Sequence, residues 1–364
     1  MFLPIIIMVT VVNYICDPAQ LFTNKDFEKQ MARLFAGSSD LGVEISDRAD
    51  YDDRYFQKAY VENLKNKKDV LVLGSSTVMY ITSEFFPNKS FFNAWVSAAG
   101  LNDQIAIYGL YRQKGFIPSQ VILGVDPWSF DKLKMRSEKR WQRLKGAYGY
   151  IKKQMNSSPE FLSVNIVDYL PPEGFALFSA SYFQASVDFF LNKKGKLPSK
   201  NKLTDSLTYN RYNNNATSWA DGSRTLKKEQ KERPASEVEA EISSDANNPL
   251  DRMWVMDGEF TKDFADFIAL LEGDKVKVII YLPPYHPLRY RIMNGLDEKY
   301  GFRFRRNGFE EIENTIKNIA KKFNVAVVGS YDPKKAHINQ EQFIDGMHLR
   351  STADVKPIFS GIGS

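Results

Sequence analysis

Three polar clusters, far apart in the chain, have the residue types that acyl chemistry needs: Gly74-Ser75-Ser76, His286, and Asp345-Gly346-Met347-His348. A serine hydroxyl becomes a useful nucleophile beside a base, and the base works best when a carboxylate orients it. The chain has 3 histidines, His286, His337 and His348. Asp345 precedes His348 by three residues, a spacing that lets both face the same way on a helical turn or tight loop. Asp345 would then fix the imidazole while the other ring nitrogen meets Ser76. A local cap or surface hydrogen bond is the plainer use of such a pair. His286 sits in Leu282-Pro283-Pro284-Tyr285-His286-Pro287 without an adjacent carboxylate, and suits substrate contact or the wall of a site. His337 follows Lys334-Lys335-Ala336 and reads as a surface residue. Dispersed histidines and one cysteine, Cys16, give no metal-ligand spacing and no internal disulfide.

These residues need a frame. Val70-Leu71-Val72-Leu73 reads as a buried strand of a parallel sheet. Gly74 permits a tight turn after it, and Ser75 and Ser76 suit the start of a helix expected over residues 78–86. A hydroxyl on that turn stands at the carboxyl end of the sheet, where open α/β folds place their sites; a simple helix cap is the alternative. Further strands are expected over Ser90–Val96, Val121–Val125 (ending at Asp126-Pro127), Val276–Leu282 and Val325–Val328. Asp103–Gln113 and Phe309–Lys322 have the apolar spacing of helices. This rhythm predicts a three-layer α/β/α fold with a doubly wound parallel sheet of about five strands, all carboxyl ends on one edge.

The remaining segments divide the chain. Residues 1–18 carry the uncharged run Phe2–Cys16, shorter than a membrane span and without Lys or Arg before it. It fits a buried helix or a retained membrane anchor, and the polar stretch that follows favours the anchor. Residues 19–68 are expected to be a linker packing on the domain edge, solvated over Ser46–Tyr55 and helical over Phe56–Leu64. Residues 69–360 form the main domain, with a long insertion over 130–256. The insertion holds Trp141, Tyr148 and Tyr150, an apolar stretch at Tyr182–Leu191, and a solvated helix or mobile loop over Lys227–Asn248. Its basic run, Lys132 to Lys153 with Arg143 within it, suits acidic or phosphate-rich material, a membrane surface, or a solvated helix face.

Composition agrees with a folded chain: 43% hydrophobic, 26% charged, formal charge +5 over 364 residues. One basic run without a recognisable module argues against a nucleic-acid binder, and Gly74-Ser75-Ser76 lacks the lysine of a phosphate loop.

Gly74-Ser75-Ser76, the block Asn93–Gly100 and Asp345-Gly346-Met347-His348 resemble, in order and spacing, the blocks of the SGNH (GDSL-like) hydrolase superfamily. Asp17-Pro18, Val125-Asp126-Pro127-Trp128 and Leu282-Pro283-Pro284-Tyr285 make the chain most similar to the extracytoplasmic branch of alginate O-acetyltransferase-like and teichoic-acid D-alanylation proteins. The resemblance covers most of 69–350 and implies a flavodoxin-like SGNH fold. It implies Ser76 as nucleophile, His348 as base and Asp345 as the orienting carboxylate. It also implies an oxyanion site built from the Ser76 backbone N–H and a second one, here from Ala98 or Gly100.

Hydrolases of this superfamily usually place an asparagine donor where this chain has Asp126. An ionised carboxylate donates no hydrogen bond and repels an oxyanion, so Asp126 either points elsewhere or leaves the site with fewer donors. The expected function is ester hydrolysis or O-acyl transfer on a cell-envelope polysaccharide or related glycopolymer, through an acyl-enzyme at Ser76. No cofactor and no metal is expected. The implied partners are an acyl donor, a glycan acceptor and a membrane-bound acyltransferase, with the chain anchored on the extracytoplasmic face. Asp126, Trp128, His286, Trp141 and Arg143 are candidates for the site rim, with packing inside the insertion the plainer role of Trp141 and Arg143. The rival is a non-catalytic scaffold or glycan-binding protein, which His348 turned away from Ser76 would favour.

Overall fold

Valine and leucine runs set the centre of the protein. The computed structural model describes residues 3–17, 25–45, 51–132, 138–155, 207–245, 256–300 and 308–360, with single positions between 135 and 203. The solvated reading of residues 46–50 lies outside them. Among these residues, strands β2 (Val70–Leu73), β3 (Phe91–Asn93), β4 (Gln120–Gly124), β8 (Lys277–Leu282) and β9 (Ala326–Gly329) form one sheet. All its pairings are parallel, and the spatial order is β3-β2-β4-β8-β9. The chain therefore starts near the middle, steps outward once to β3, then returns across to β4 and beyond.

Alternate strand residues face opposite layers. Leu71, Leu73, Val121, Leu123, Ile280 and Leu282 pack on one side with Phe56, Tyr108, Phe267 and Ile316 of the helical layer. Val70, Val72, Ile122, Ile279 and Tyr281 pack on the other with Met79, Phe85, Ile338, Val355 and Phe359. The result is a three-layer α/β/α arrangement around a five-stranded parallel sheet. Parallel pairing puts Gly74, Ala94, Val125, Pro283 and Ser330, the residues just past the strands, along one edge.

Several segments add to or differ from the sequence expectation. Two 3-10 turns, Ser76–Val78 and Ser83–Phe85, stand where a helix was expected after β2. Val78, Met79, Tyr80 and Ile81 are buried in succession. The backbone between the two turns is irregular and wholly buried. The Asn93 side chain supports it by donating to the carbonyls of Val78 (2.7 Å) and Ile81 (2.9 Å).

Within 19–68, helices α2 (Asp26–Gly37) and α3 (Asp53–Asn63) contribute buried side chains to the core. Met31, Phe35, Phe56 and Tyr60 are buried, and Tyr60 stacks on Phe92 at 3.7 Å. Charge density hid this because the acidic side chains bind backbone and cations: Glu28 accepts from the Asp52 N–H at 2.8 Å, and Asp52 caps α3 and pairs with Lys25.

A second, antiparallel sheet was not legible at all. Strands β1 (Gly42–Glu44), β5 (Leu207–Thr208), β6 (Thr217–Trp219) and β7 (Arg224–Thr225) pair in the order β5-β1-β6-β7. The β6–β7 turn docks on the free edge of β3, where Asn93 N–H donates to the Asp221 carbonyl at 2.8 Å. Gly222, at φ +82, is required there, since a Cβ would meet the Asn93 carbonyl oxygen at 2.1 Å. Of the two readings of 227–248, the helix stands over Ala235–Asp245, with Val238 and Ile242 buried on one side.

Helix α1 (Leu3–Cys16) has no charged residue, and Pro4, Ile5, Ile6, Ile7 and Met8 are all exposed. No helix among the described residues is long and apolar enough to cross a membrane.

Candidate active site

Neighbouring serines on the turn after β2 point in opposite directions. Ser75 is fully buried; its hydroxyl accepts from the Thr77 N–H at 3.2 Å, capping the 3-10 turn, and donates to Asp126 Oδ2 at 2.6 Å. Ser76, at the first position of that turn, directs its hydroxyl to His348 Nε2 at 2.7 Å. His348 Nδ1 lies 2.7 Å from Asp345 Oδ2. The three side chains therefore form a continuous Ser–His–Asp relay. With Asp345 accepting from Nδ1–H, Nε2 is left as the acceptor for the serine proton.

The loop after β9 holds this relay firmly. Asp345 Oδ1 accepts from the N–H groups of Met347 and His348, each at 2.8 Å, and the Ile344 N–H donates to the His348 carbonyl at 3.0 Å. Pairing of Phe343 with Leu349 closes the loop, so the Asp345–His348 spacing works on a tight loop and not on a helix. Two outside donors add to it: the Arg233 guanidinium on the Ile344 carbonyl (3.1 Å) and the His286 N–H on the Gly346 carbonyl (3.1 Å). Burial pushes the Asp345 carboxyl up, but His348 and these N–H donors outweigh it and hold the group below the usual carboxylate range. Burial likewise pushes His348 down, and Asp345, with a contribution from Asp126, raises it above 6.5.

Asp126 is not on the site rim. It is buried under the nucleophile turn, where Oδ2 also accepts from Thr77 Oγ1 at 3.2 Å. The carboxylate is engaged with the Ser75 and Thr77 hydroxyls beneath the turn, while its charge still reaches His348. Ser76 N–H and Ala98 N–H are the backbone candidates for the oxyanion site. Neither has a protein acceptor among the described residues. Ala98 sits at φ +46, an unusual conformation for a residue with a side chain. Gly100 is excluded as a donor, because its N–H goes to Asp103 Oδ2 at 3.1 Å. Loss of an asparagine donor would leave transition-state stabilisation lower by about 3 kcal/mol.

The other rim candidates separate. Trp128 is buried, and its indole N–H donates to the Ala99 carbonyl at 3.2 Å, so it supports the Ala98 turn from behind. Arg143 pairs with Asp52, and Trp141 packs on Tyr148 at 4.6 Å between ring centroids. Neither touches the relay; both serve packing around α3. His286 is fully buried and cannot touch substrate: Nδ1 accepts from the Leu288 N–H at 3.2 Å, capping helix Pro287–Met293, and the ring meets Phe343 edge-on. Sequence reasoning missed Arg233, whose place in a charged, small-residue-rich stretch gave no signal.

Burial, with Arg291 adding to it and Asp345 and Glu341 opposing, pushes His286 from 6.5 down to about 4. Between those values the unfolded chain takes up a proton that the native state refuses, so stability falls as pH drops through that window. The loss is up to about 3 kcal/mol. Urea unfolding at pH 6.5 and at pH 4 should show this extra loss in the parent chain and not in His286→Gln. Equal losses in both would remove His286 as its source.

Among the described residues no group of three or more His, Cys, Asp or Glu could hold a metal ion. No family model, no curated protein and no solved structure matches the chain.

Proposed function

We propose that this chain is a serine-dependent acyl-transfer or ester-hydrolysis enzyme of the SGNH, GDSL-like type. One observation carries the reading: Ser76 Oγ, His348 and Asp345 stand in relay at 2.7 Å and 2.7 Å. The strand order, equivalent to 2-1-3-4-5, supports the finer flavodoxin-like assignment for residues 69–360, with the insertion over 130–256. Ser76 and Asp126 follow adjacent strands β2 and β4, beside the point where the chain reverses direction across the sheet.

In the reaction, His348 Nε2 takes the Ser76 proton as Oγ bonds to the acyl carbonyl carbon. The N–H groups of Ser76 and Ala98 receive the developing oxyanion. Collapse breaks the ester bond, and the imidazolium returns its proton to the leaving oxygen, leaving an acyl-Ser76. A sugar hydroxyl or water then attacks by the same steps in reverse. Asp345 stays ionised and supports the imidazolium. The orientation of His348 toward Ser76 favours this reading over a non-catalytic scaffold.

The glycopolymer substrate, the acyl donor and a membrane-bound acyltransferase partner rest on the resemblance to the extracytoplasmic branch. Purified protein with an aryl acetate and an oligosaccharide acceptor tests the chemistry. Acetylated sugar marks transfer, acetate marks hydrolysis, and the absence of Ser76-dependent turnover would contradict both.

In this reading α1 lies in the membrane. Five successive exposed residues, Pro4–Met8, sweep through more than a full helical turn, so the amino-terminal half of the helix is apolar and open on every side. A surrounding medium suits that better than a single groove. Asn13 ties the helix to the insertion through the Leu177 carbonyl (3.0 Å) and Ser186 Oγ (3.1 Å), beside the exposed side chains Phe178, Phe190 and Leu191. The chain is expected in the membrane fraction, released by detergent and not by high salt. Recovery in the soluble fraction would contradict the placement.

A further inference from the structure

The turn that carries Ala98 is gripped on both sides by carboxylates. Asp53 Oδ2 accepts from Ser97 N–H at 2.6 Å and from Ser97 Oγ at 2.5 Å. Asp103 Oδ2 accepts from Gly100 N–H at 3.1 Å. Between these two anions lies one buried guanidinium. Arg54 donates from Nη1 to Asp53 Oδ1 (3.0 Å), from Nε to Asp103 Oδ1 (2.9 Å) and from Nη2 to Asp103 Oδ2 (3.2 Å). Both carboxylates are buried with it.

Ala98, between the two anchor points, is the residue whose N–H has no protein acceptor and whose φ is +46. The segment is also joined to the turn that carries the nucleophile, since the Val96 N–H donates to the Gly74 carbonyl at 3.1 Å. A planar, five-donor fork is suited to hold two carboxylates in fixed relation; a lysine would offer one point charge. Its burial needs a compensating gain, because an unmatched buried ion is strongly destabilising.

We propose that Arg54 is a positioning residue for the oxyanion site: through Asp53 and Asp103 it fixes Ser97 and Gly100, and so aims the Ala98 N–H. The inference rests on reading Ser76 as nucleophile and Ala98 as oxyanion donor. A donor displaced by about 1 Å lowers the rate on the order of 10²-fold. The device acts on a group engaged in the transition state, so substrate binding and the proton affinity of His348 should stay as they are.

The test uses the full chain with an aryl acetate. Arg54→Gln, checked by near-ultraviolet circular dichroism for an intact fold, should lose kcat on the order of 10²-fold with KM and the pH midpoint of kcat retained. Arg54→Lys should not restore the rate. Unchanged kcat in a folded Arg54→Gln, with Ser76-dependent turnover in the parent, would overturn the inference and leave the enzyme reading intact. A parent without Ser76-dependent turnover would overturn the reading itself. Amide hydrogen exchange on the unmodified chain covers the case of a variant that does not fold. Ser97 and Gly100 amides should be protected and the Ala98 amide exchange fast; equal, fast exchange at all three would contradict the clamp.

Discussion

Replacing Ser76 with alanine is expected to lower ester turnover on the order of 10⁶-fold while the chain stays folded. The size follows from the role: without Oγ no acyl-enzyme forms, and His348 has no proton to take. Stability should change little. Ser75, not Ser76, caps the 3-10 turn and binds Asp126, so the turn keeps its hydrogen bonds when Ser76 loses its hydroxyl. Removing one part-buried hydrogen bond costs about 1 kcal/mol. Ser75→Ala makes the contrasting control. It removes the cap and the shorter of the two hydroxyl bonds to the buried Asp126 Oδ2, so it should destabilise the fold while Ser76 remains. Turnover on an aryl acetate and a thermal melt of each variant distinguish the two serines. Equal turnover in Ser76→Ala and parent would remove Ser76 as the nucleophile.

Asp345→Asn should lower kcat about 10⁴-fold, because an amide at that place no longer enforces the tautomer in which Nε2 accepts. Its pH signature is separate from its size. His348 works as a base only when neutral; burial pushes it down, but Asp345 outweighs burial and raises it above 6.5 in the native state. Parent turnover should therefore climb with pH through a midpoint above 6.5. With the carboxylate neutralised, burial prevails and the midpoint should move downward. Stability follows the sign of the same linkage. The raised imidazole contributes stability that is fully present below 6.5 and is lost as pH rises through its native value. His286 has the opposite dependence, so the two histidines can be separated by pH alone. A kcat profile of Asp345→Asn with an unmoved midpoint would contradict the assigned pairing.

Where the hydrophobic pattern was strong, the fold was legible. The run Val70–Leu73 and the stretches near 121, 276 and 325 became strands within a residue or two; for the first three, continuous burial on both faces leaves little else for such runs. Strands of two or three residues, such as Leu207–Thr208 and Arg224–Thr225, carry too few positions to alternate, and the antiparallel sheet stayed hidden. Charge misled in the other direction. Asp53 and Arg54 read as solvated but are compensated inside the protein, with Asp103 as the second carboxylate, something only the tertiary pairing of α3 with the 97–103 segment reveals. The relay itself was legible from Ser76, Asp345 and His348. Its supports were not: Asp126 was weighed as an oxyanion neighbour and stands beneath the turn, and His286 was weighed as rim and is a buried cap.

The central claim is that Ser76 is a nucleophile activated by His348. Labelling the full chain with a fluorophosphonate and mapping the adduct by peptide mass spectrometry tests it most directly, since no natural acyl donor is needed. The account predicts a single adduct on Ser76, formed faster as pH rises, absent in Ser76→Ala and strongly slowed in His348→Ala. Labelling at another residue, or at Ser76 with equal speed in His348→Ala, would contradict it.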